Sequence, residues 1–259
     1  MTRLGGHGLD HVFHRARSDF FEVTRTWTDR TSPDDAGAAA VVELVDPTGE
    51  RPGRWLNAVG RADRLARLMT TVVPDGDVVA ATVTRGTGAL AGETLAGWGL
   101  APDSTWDRMV TEVAPPVRDG SPAVEVLDLD RHTDEIVGLL ARANPRTRSG
   151  ASGPRARLTR WYGVRAQSAS PGARAGALVA VGSATPTPSG SVHLGSIGTD
   201  PTRRGRGLGS ALTARMTADG VAEHGLVTLG LYDDNAPARR VYERLGFVLA
   251  HQAETWRRE

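Results

Sequence analysis

The chain of 259 residues contains no cysteine and no lysine, since every one of its 31 basic residues is arginine. Without a thiol, the protein has no disulfide, no cysteine nucleophile and no thiolate metal ligand, and nothing adapts it to an oxidising compartment. Without lysine, Schiff-base chemistry and the lysine of a phosphate-binding P-loop are both excluded. We therefore expect a cytoplasmic protein without a metal site.

Long hydrophobic runs are also absent, and residues 1–20 lack the apolar segment of a signal peptide. The 31 basic and 30 acidic side chains leave a formal net charge of +1, which provides no general attraction for nucleic acid or an anionic membrane. With 39% hydrophobic and 24% charged residues, the composition is typical of a folded globular protein. We expect neither nucleic acid nor a membrane as a partner.

A composition change near the middle of the chain predicts two domains. Residues 111–123 hold several prolines and a glycine between two periodic regions, which is typical of an extended linker. A boundary near Gly120 gives predicted domains 1–120 and 121–259. Residues 144–157, rich in Gly, Ser, Pro and Arg, are predicted to form a surface loop.

Beyond the boundary, hydrophobic periodicity predicts the order β-α-β-β-β-α-β-α-β. The short turns between the central strands favour antiparallel pairing, so we expect an α/β (α+β) domain with a mixed, mostly antiparallel sheet flanked by helices. The predicted strands are 123–129, 158–164, 177–184, 191–199, 226–232 and 247–256, and the predicted helices are 130–143, 207–224 and 237–245.

The N-terminal half shows a shorter series of predicted strands and helices that resembles the last elements of the C-terminal half. It is predicted to be a second, smaller α/β domain. At one constant offset, Leu95 aligns with Leu245 and Trp106 with Trp256. This similarity indicates an internal repeat, and an unrelated α/β cap is the alternative. The predicted elements are strand 39–45, helix 55–71, strand 77–84, helix 89–96 and strand 103–113.

Segment 204–210 reads Arg-Gly-Arg-Gly-Leu-Gly-Ser and lies between a predicted strand and a predicted helix. Glycines allow backbone N–H groups to converge on a phosphate, and the N-terminus of the following helix adds partial positive charge. The segment is therefore a candidate anion-binding loop. It is neither a Rossmann fingerprint, because antiparallel strands precede it, nor a P-loop, because lysine is missing.

A second motif lies near the C-terminal end of the predicted domain 121–259. Asn235, Ala238 and Tyr242 follow each other at i, i+3 and i+7, which places all three on one face of a helix. For Tyr242 the alternative is a half-buried core tyrosine with a satisfied hydroxyl.

Together, the two motifs resemble those of the GNAT superfamily of acyl-CoA-dependent N-acyltransferases, over residues 121–259. Segment 204–209 matches the R/Q-x-x-G-x-G/A loop of that family, and segment 235–247 matches its N-x-x-A-x-x-x-Y-x-x-x-G-F ending. The resemblance implies a sheet whose fourth and fifth strands splay apart to hold the pantetheine arm of acetyl-CoA. The N-terminal half would then resemble the degenerate domain of tandem GNAT proteins.

The resemblance also implies roles for individual residues. Backbone groups of the fourth strand would bind pantetheine, the glycine-rich loop would bind the pyrophosphate, and an asparagine would contact the cofactor from the other side. The implied cofactor-binding residues are Ile197, Gly198, Thr199, Arg204, Gly205, Arg206, Gly207, Leu208, Gly209, Ser210 and Asn235.

For catalysis, the resemblance implies that Tyr242 is the general acid for the leaving thiolate and that the N–H of Ile197 polarises the thioester carbonyl. His193 stands where some relatives carry a catalytic glutamate and is a candidate base. A surface histidine, with proton removal through water, is the alternative.

The implied function is transfer of an acetyl group from acetyl-CoA to a primary amine of a small molecule or of a protein. Two alternatives remain open: a coenzyme A-binding sensor or scaffold without turnover, and transfer to a hydroxyl group. We expect the chain to be a monomer or a homodimer.

Overall fold

The computed structural model describes residues 21–30, 35, 37–49, 51–116, 120–147, 150–152, 154–167, 174–187 and 189–259. Residues 1–20 and parts of the predicted segments 111–123 and 144–157 lie outside the described residues. Within the described part of the chain, no helix is both long and apolar enough to cross a membrane.

Strands and helices alternate along most of the described chain. The strands are β1 (Glu22–Thr28), β2 (Ala40–Val45), β3 (Arg54–Val59), β4 (Val78–Thr84), β5 (Ala101–Thr111), β6 (Glu125–Leu127), β7 (Arg160–Arg165), β8 (Leu178–Pro186), β9 (Val192–Thr199), β10 (Val227–Tyr232) and β11 (Val248–Arg257). The helices are α1 (Ala62–Met69), α2 (Gly88–Gly97), α3 (Leu129–Ala143), α4 (Pro154–Arg157), α5 (Leu208–His224) and α6 (Ala236–Arg244), and Pro201–Arg203 form a 3-10 turn.

The chain folds into two compact units, each of which is built from separate segments of the chain. The first unit contains Met1–Arg108, Leu231–Asn235 and Leu249–Glu259, and the second contains Met109–Gly230 and Ala236–Val248. The units do not follow the predicted boundary near Gly120, because the last strand, β11, pairs antiparallel with β4 of the N-terminal half.

In the first unit, β1, β2 and β3 are antiparallel neighbours, and β3 is parallel to β4. The core lies between this sheet and helices α1 and α2, where Leu56, Leu65 and Leu95 are almost fully buried. Such apolar burial supplies the main driving force for folding. The aromatic side chains of Trp27 and Trp98 pack against the same core.

The predicted helix 55–71 is wrong in its first half, where the structure has strand β3. The last four residues of this strand, 56–59, are buried in succession, and its sequence does not alternate between polar and apolar residues. Gly60 ends the strand at a φ of 151°, and α1 follows two residues later. The exposed edge strand β1 was not predicted at all.

In the second unit, the strand order is β10-β9-β8-β7-β6. The pairs from β6 to β9 are antiparallel, whereas β9 and β10 are parallel. Helix α5 approaches the sheet closely because Gly182 of β8 has no side chain: a Cβ there would lie 2.8 Å from Cε of Met216. The predicted α/β class with a mixed, mostly antiparallel sheet flanked by helices is confirmed.

Candidate active site

Strand β9 has an open edge over its second half. It pairs with β10 from Val192 to Leu194, and with β8 along its whole length as far as Thr199. Among the described residues, positions 195–199 have no register partner on β10. Backbone N–H and C=O groups that lose a strand neighbour can bind a ligand that carries amides.

A β-bulge lies within this open stretch. Val181 faces Gly198 and Ser183 faces Gly195, so two residues of β9 oppose the single Gly182 of β8. Ser196, one of those two, has a φ of 50°, in the left-handed region that non-glycine residues seldom adopt. A bulge bends its strand and changes the direction of its backbone groups. Nothing in the sequence marks Ser196 for this conformation.

Ile197, Gly198 and Thr199 form the end of β9, beside the C-terminus of α3. The side-chain amide of Asn144 donates a hydrogen bond to the carbonyl of Ile197 over 3.1 Å. A carbonyl oxygen has two lone pairs, so this contact leaves one acceptor position on Ile197. Asn144 carries no sequence signal for this role, because its partner Ile197 is 53 residues away in the chain.

The glycine-rich loop connects β9 to α5. Gly205 and Gly207 have φ values of 77° and 76°, and no atom lies within 4 Å of the position a Cβ would take at either residue. Gly207 is also the N-cap of α5, which has no side-chain cap. The N–H groups of the first helical turn lack intrahelical partners and can therefore bind an anion.

The two arginines of this loop differ in their contacts. Nη2 of Arg204 donates to the carbonyl of Ala143, at the end of α3, over 3.0 Å. This contact anchors the loop to α3 and uses one of the two N–H groups of that nitrogen. Arg206 is exposed.

Asp200 anchors the entry to the loop. Its Oδ1 accepts hydrogen bonds from the backbone N–H of Thr202, over 3.0 Å, and from the hydroxyl of Thr202, over 2.7 Å. Its Oδ2 accepts one from Nε of Arg142 over 3.0 Å. The hydrogen bond from Thr202 and the nearby guanidinium of Arg142 lower the pKa of Asp200 below its usual value of 3.8.

Tyr242 lies on α6 with only 8% of its surface exposed. Its ring packs at a tilt against Phe247, with 6.0 Å between the ring centroids. Burial raises the pKa of its hydroxyl to about 12, because the phenolate would lose its hydration. The phenol therefore keeps its proton at neutral pH.

His193 lies at the point where β9 and β10 separate. Its Nδ1 is 3.0 Å from the hydroxyl of Thr228, which is its register partner on β10 and is fully buried. The hydrogen bond holds the imidazole beside the opening, with donor and acceptor roles that depend on the tautomer.

Asn235 belongs to the first unit, directly before α6. Its backbone N–H donates to the carbonyl of Tyr232 over 3.0 Å, which closes the turn between β10 and α6. The second unit thus contains His193, the end of β9, the glycine-rich loop and Tyr242, and the first unit contains Asn235.

Part of the chain is similar to known proteins. Residues 131–247 match the family described as the acetyltransferase (GNAT) family. Among curated proteins, the chain is similar to a mycothiol acetyltransferase from Acidimicrobium ferrooxidans, with 47% identity over 58 residues. That match covers 22% of this chain and 18% of the relative, so less than a fifth of the relative's length is matched.

Solved structures extend the similarity over both units. A GCN5-related N-acetyltransferase from Kribbella flavida aligns with a TM-score of 0.57 and 17% identity, over 84% of this chain and 86% of that chain. Another, from Sphaerobacter thermophilus, aligns with a TM-score of 0.54 and 16% identity, over 85% and 76% of the two chains. At these identities the likeness shows the fold alone.

Replacing Asp200 by Asn tests how the loop is anchored. Because the pKa of this carboxyl is lowered in the folded protein, its charge stabilises the fold above pH 3.8, and this contribution is lost as the pH falls through the folded-state value. We expect Asp200→Asn to lower the free energy of unfolding by about 1–2 kcal/mol at neutral pH, with the difference shrinking below about pH 4. Urea unfolding at a series of pH values measures it.

The matched control is Asp134→Asn, which removes an exposed carboxylate from α3 of the same unit. It should change stability by less than about 0.5 kcal/mol. A loss at Asp200 that is independent of pH would contradict the charge-based explanation.

Proposed function

Because residues 131–247 match the acetyltransferase (GNAT) family, we propose that the protein transfers an acetyl group from acetyl-CoA to a primary amine. The observation that carries this proposal is the open edge of β9 next to an uncapped, glycine-rich helix start. An extended donor with amides at one end and a pyrophosphate at the other matches these two features. The acceptor is a primary amine of a small molecule or of a protein.

In this proposal, backbone groups of Ile197, Gly198 and Thr199 bind the pantetheine amides. The N–H groups of loop 204–210 bind the pyrophosphate, and Asn235 contacts the donor from the other side. The fit is supported by the open space above Gly205 and Gly207, where side chains would obstruct a closely approaching phosphate. The lack of a register partner on β10 at the described positions 195–199 supports the placement of the amides.

We propose further that the N-terminal half is a degenerate repeat without a donor site. From β2 to β5, the first unit repeats the order of β8 to β11, including a parallel pair. That pair, β3 with β4, keeps one register from Trp55 to Ala58, close to the end of β3, so its strands do not separate as β9 and β10 do. The turn after β3 is only Gly60 and Arg61, which is too short for an anion-binding loop.

Calorimetry with acetyl-CoA tests the donor site. The wild type should bind one acetyl-CoA per chain, and Gly207→Glu should weaken binding by about a hundredfold or more, because it adds bulk and negative charge where the pyrophosphate would lie. Two molecules bound per chain would refute the degenerate repeat.

Gly225→Glu is the control for backbone strain. Gly225 ends the same helix α5 with a φ of 74°, nearly equal to that of Gly207, and no atom lies within 4 Å of the position that a Cβ would take there. This variant should bind acetyl-CoA like the wild type. If the wild type binds no acetyl-CoA, the proposed function is wrong.

Tyr242 is proposed as the general acid. Its hydroxyl would donate a proton to the sulfur that leaves during transfer, and burial keeps that proton in place at neutral pH because it raises the pKa to about 12. The N–H of Ile197, in the bulged part of β9, would polarise the carbonyl that the amine attacks.

Replacing Tyr242 by Phe removes the hydroxyl and keeps the ring that packs on Phe247. We expect kcat to fall by about a hundredfold, because the leaving sulfur loses its proton donor, while the affinity for acetyl-CoA stays unchanged. Steady-state kinetics with an amine panel and calorimetry measure the two quantities.

Tyr162→Phe is the matched control. Tyr162 is also buried, but its hydroxyl donates to Asp219 over 3.0 Å, between β7 and α5, where it has a structural contact. This variant should lose some stability and keep its kcat. Equal kcat values for Tyr242→Phe and the wild type would eliminate Tyr242 as the acid.

His193 is proposed as the base that takes a proton from the amine, held in place by Thr228. His193→Gln should lower kcat/KM for the amine by about a hundredfold without changing acetyl-CoA affinity. Thr228→Val, which removes the hydrogen-bond partner and keeps the shape, should cause a smaller decrease in kcat. An unchanged kcat/KM in His193→Gln would assign proton removal to water.

A further inference from the structure

A pocket of about 490 Å³ lies in the second unit, away from the open edge of β9. It is bounded by residues near the start of β6, by the end of β7, and by Arg203, Arg206 and Leu208. Among the described residues, its lining includes no residue of β9, β10 or α6. Two of its lining residues, Arg206 and Leu208, belong to the proposed pyrophosphate loop, whereas Arg203 and the strand residues have no role in the proposed donor site. We call this cavity the Arg203 pocket.

Arg203 is a buried charge in this pocket. Only 8% of the residue is exposed, and among the described residues its Nε and Nη2 atoms have no hydrogen-bond partner. A guanidinium keeps its charge in proteins, so it cannot avoid the cost of burial by losing a proton. A buried charge without a partner is strongly unfavourable, whereas one paired with an anion is not.

The acidic side chains around Arg203 are engaged elsewhere. Asp200 accepts hydrogen bonds from Thr202 and from Arg142. Glu125, which lines the pocket, forms an ion pair of 2.6 Å with Arg165. No described carboxylate forms an ion pair with Arg203.

The lining therefore has a surplus of positive charge. Arg165 is neutralised by Glu125 and by Glu135, at 2.6 and 3.2 Å. Arg203 and Arg206 remain; they are three residues apart in the chain, and both line the pocket. Guanidinium groups bind carboxylates and phosphates through paired hydrogen bonds, so the pocket suits an oxyanion.

The rest of the lining is largely apolar and suits an organic molecule. Val124, Val164, Val179 and Leu208 contribute to it, with Gln167 as a further polar group. A volume of about 490 Å³ exceeds what a bare inorganic ion needs and lies in the range of small-molecule sites.

We propose that the Arg203 pocket binds a small organic anion, whose carboxylate or phosphate pairs with Arg203 and Arg206 while its apolar part contacts the valines. This site adjoins the proposed pyrophosphate loop, with which it shares Arg206 and Leu208, and it differs from that loop by Arg203 and the strand residues of its lining. The binding experiments below do not depend on acyl transfer.

Binding of model anions to the full chain tests this proposal. Benzoate and phenylphosphate supply the two kinds of oxyanion on the same apolar ring, and benzyl alcohol supplies the ring without the charge. Calorimetry at constant ionic strength should show that the wild type binds at least one of the two anions and not the alcohol. The stronger of the two anions identifies the head group that the pocket prefers.

Arg203→Met removes the charge and keeps the length of the side chain. We expect it to weaken binding of the preferred anion by about tenfold or more, because a charge-assisted pair is lost. The control, Arg131→Met, removes a guanidinium whose side chain is 82% exposed on α3, and it should leave binding unchanged.

The melting temperature without any anion provides an independent measurement. Because Arg203 is buried without a partner, Arg203→Met should melt no lower than the wild type. A large decrease in melting temperature would mean that the guanidinium stabilises the fold itself, and would overturn the proposal. The absence of anion binding by the wild type, or equal affinities of the wild type and Arg203→Met, would overturn it as well.

Discussion

A strand that loses its neighbour must satisfy its backbone hydrogen-bonding groups in another way, and this constraint governs the candidate site. Strand β10 leaves β9 after Leu194, and the part of β9 beyond that point carries a bulge at Ser196 and a contact from Asn144 to the carbonyl of Ile197. The glycine-rich loop continues directly from this strand into α5. The unpaired edge of β9 and the uncapped N-terminus of α5 are therefore consecutive parts of one chain segment. Both have backbone groups that are available for binding a ligand.

The two halves differ in how their parallel strands pair. Both contain an antiparallel strand, a helix and a parallel strand in the same order, but β3 remains paired with β4 as far as Ala58. Continuous pairing satisfies the backbone hydrogen-bonding groups of β3 within the sheet. Helix α1 begins directly after the short turn at Gly60. A half with this arrangement can contribute core and surface without offering an extended groove to a donor molecule.

Hydrophobic periodicity and turn residues predicted the strands and helices of the second unit closely; β9, for example, alternates between buried and half-buried residues along its length. It failed at β3, whose two faces are both buried, and at the exposed edge strand β1. The motifs placed Tyr242 and the glycine-rich loop on the expected elements. The sequence could not reveal the bulge at Ser196, the contact from Asn144 or the burial of Arg203, since each depends on residues that meet only in the folded chain.

The pairing of β11 with β4 has a consequence for biosynthesis. Strand β4 leaves the ribosome long before residues 249–259 have been translated, so one of its edges stays without its partner for most of synthesis. The N-terminal half cannot complete its sheet while the nascent chain is still growing, and its exposed strand edge is open to pairing with other chains during that time. Premature termination shortly before residue 249 would therefore damage the half of the protein that was made first.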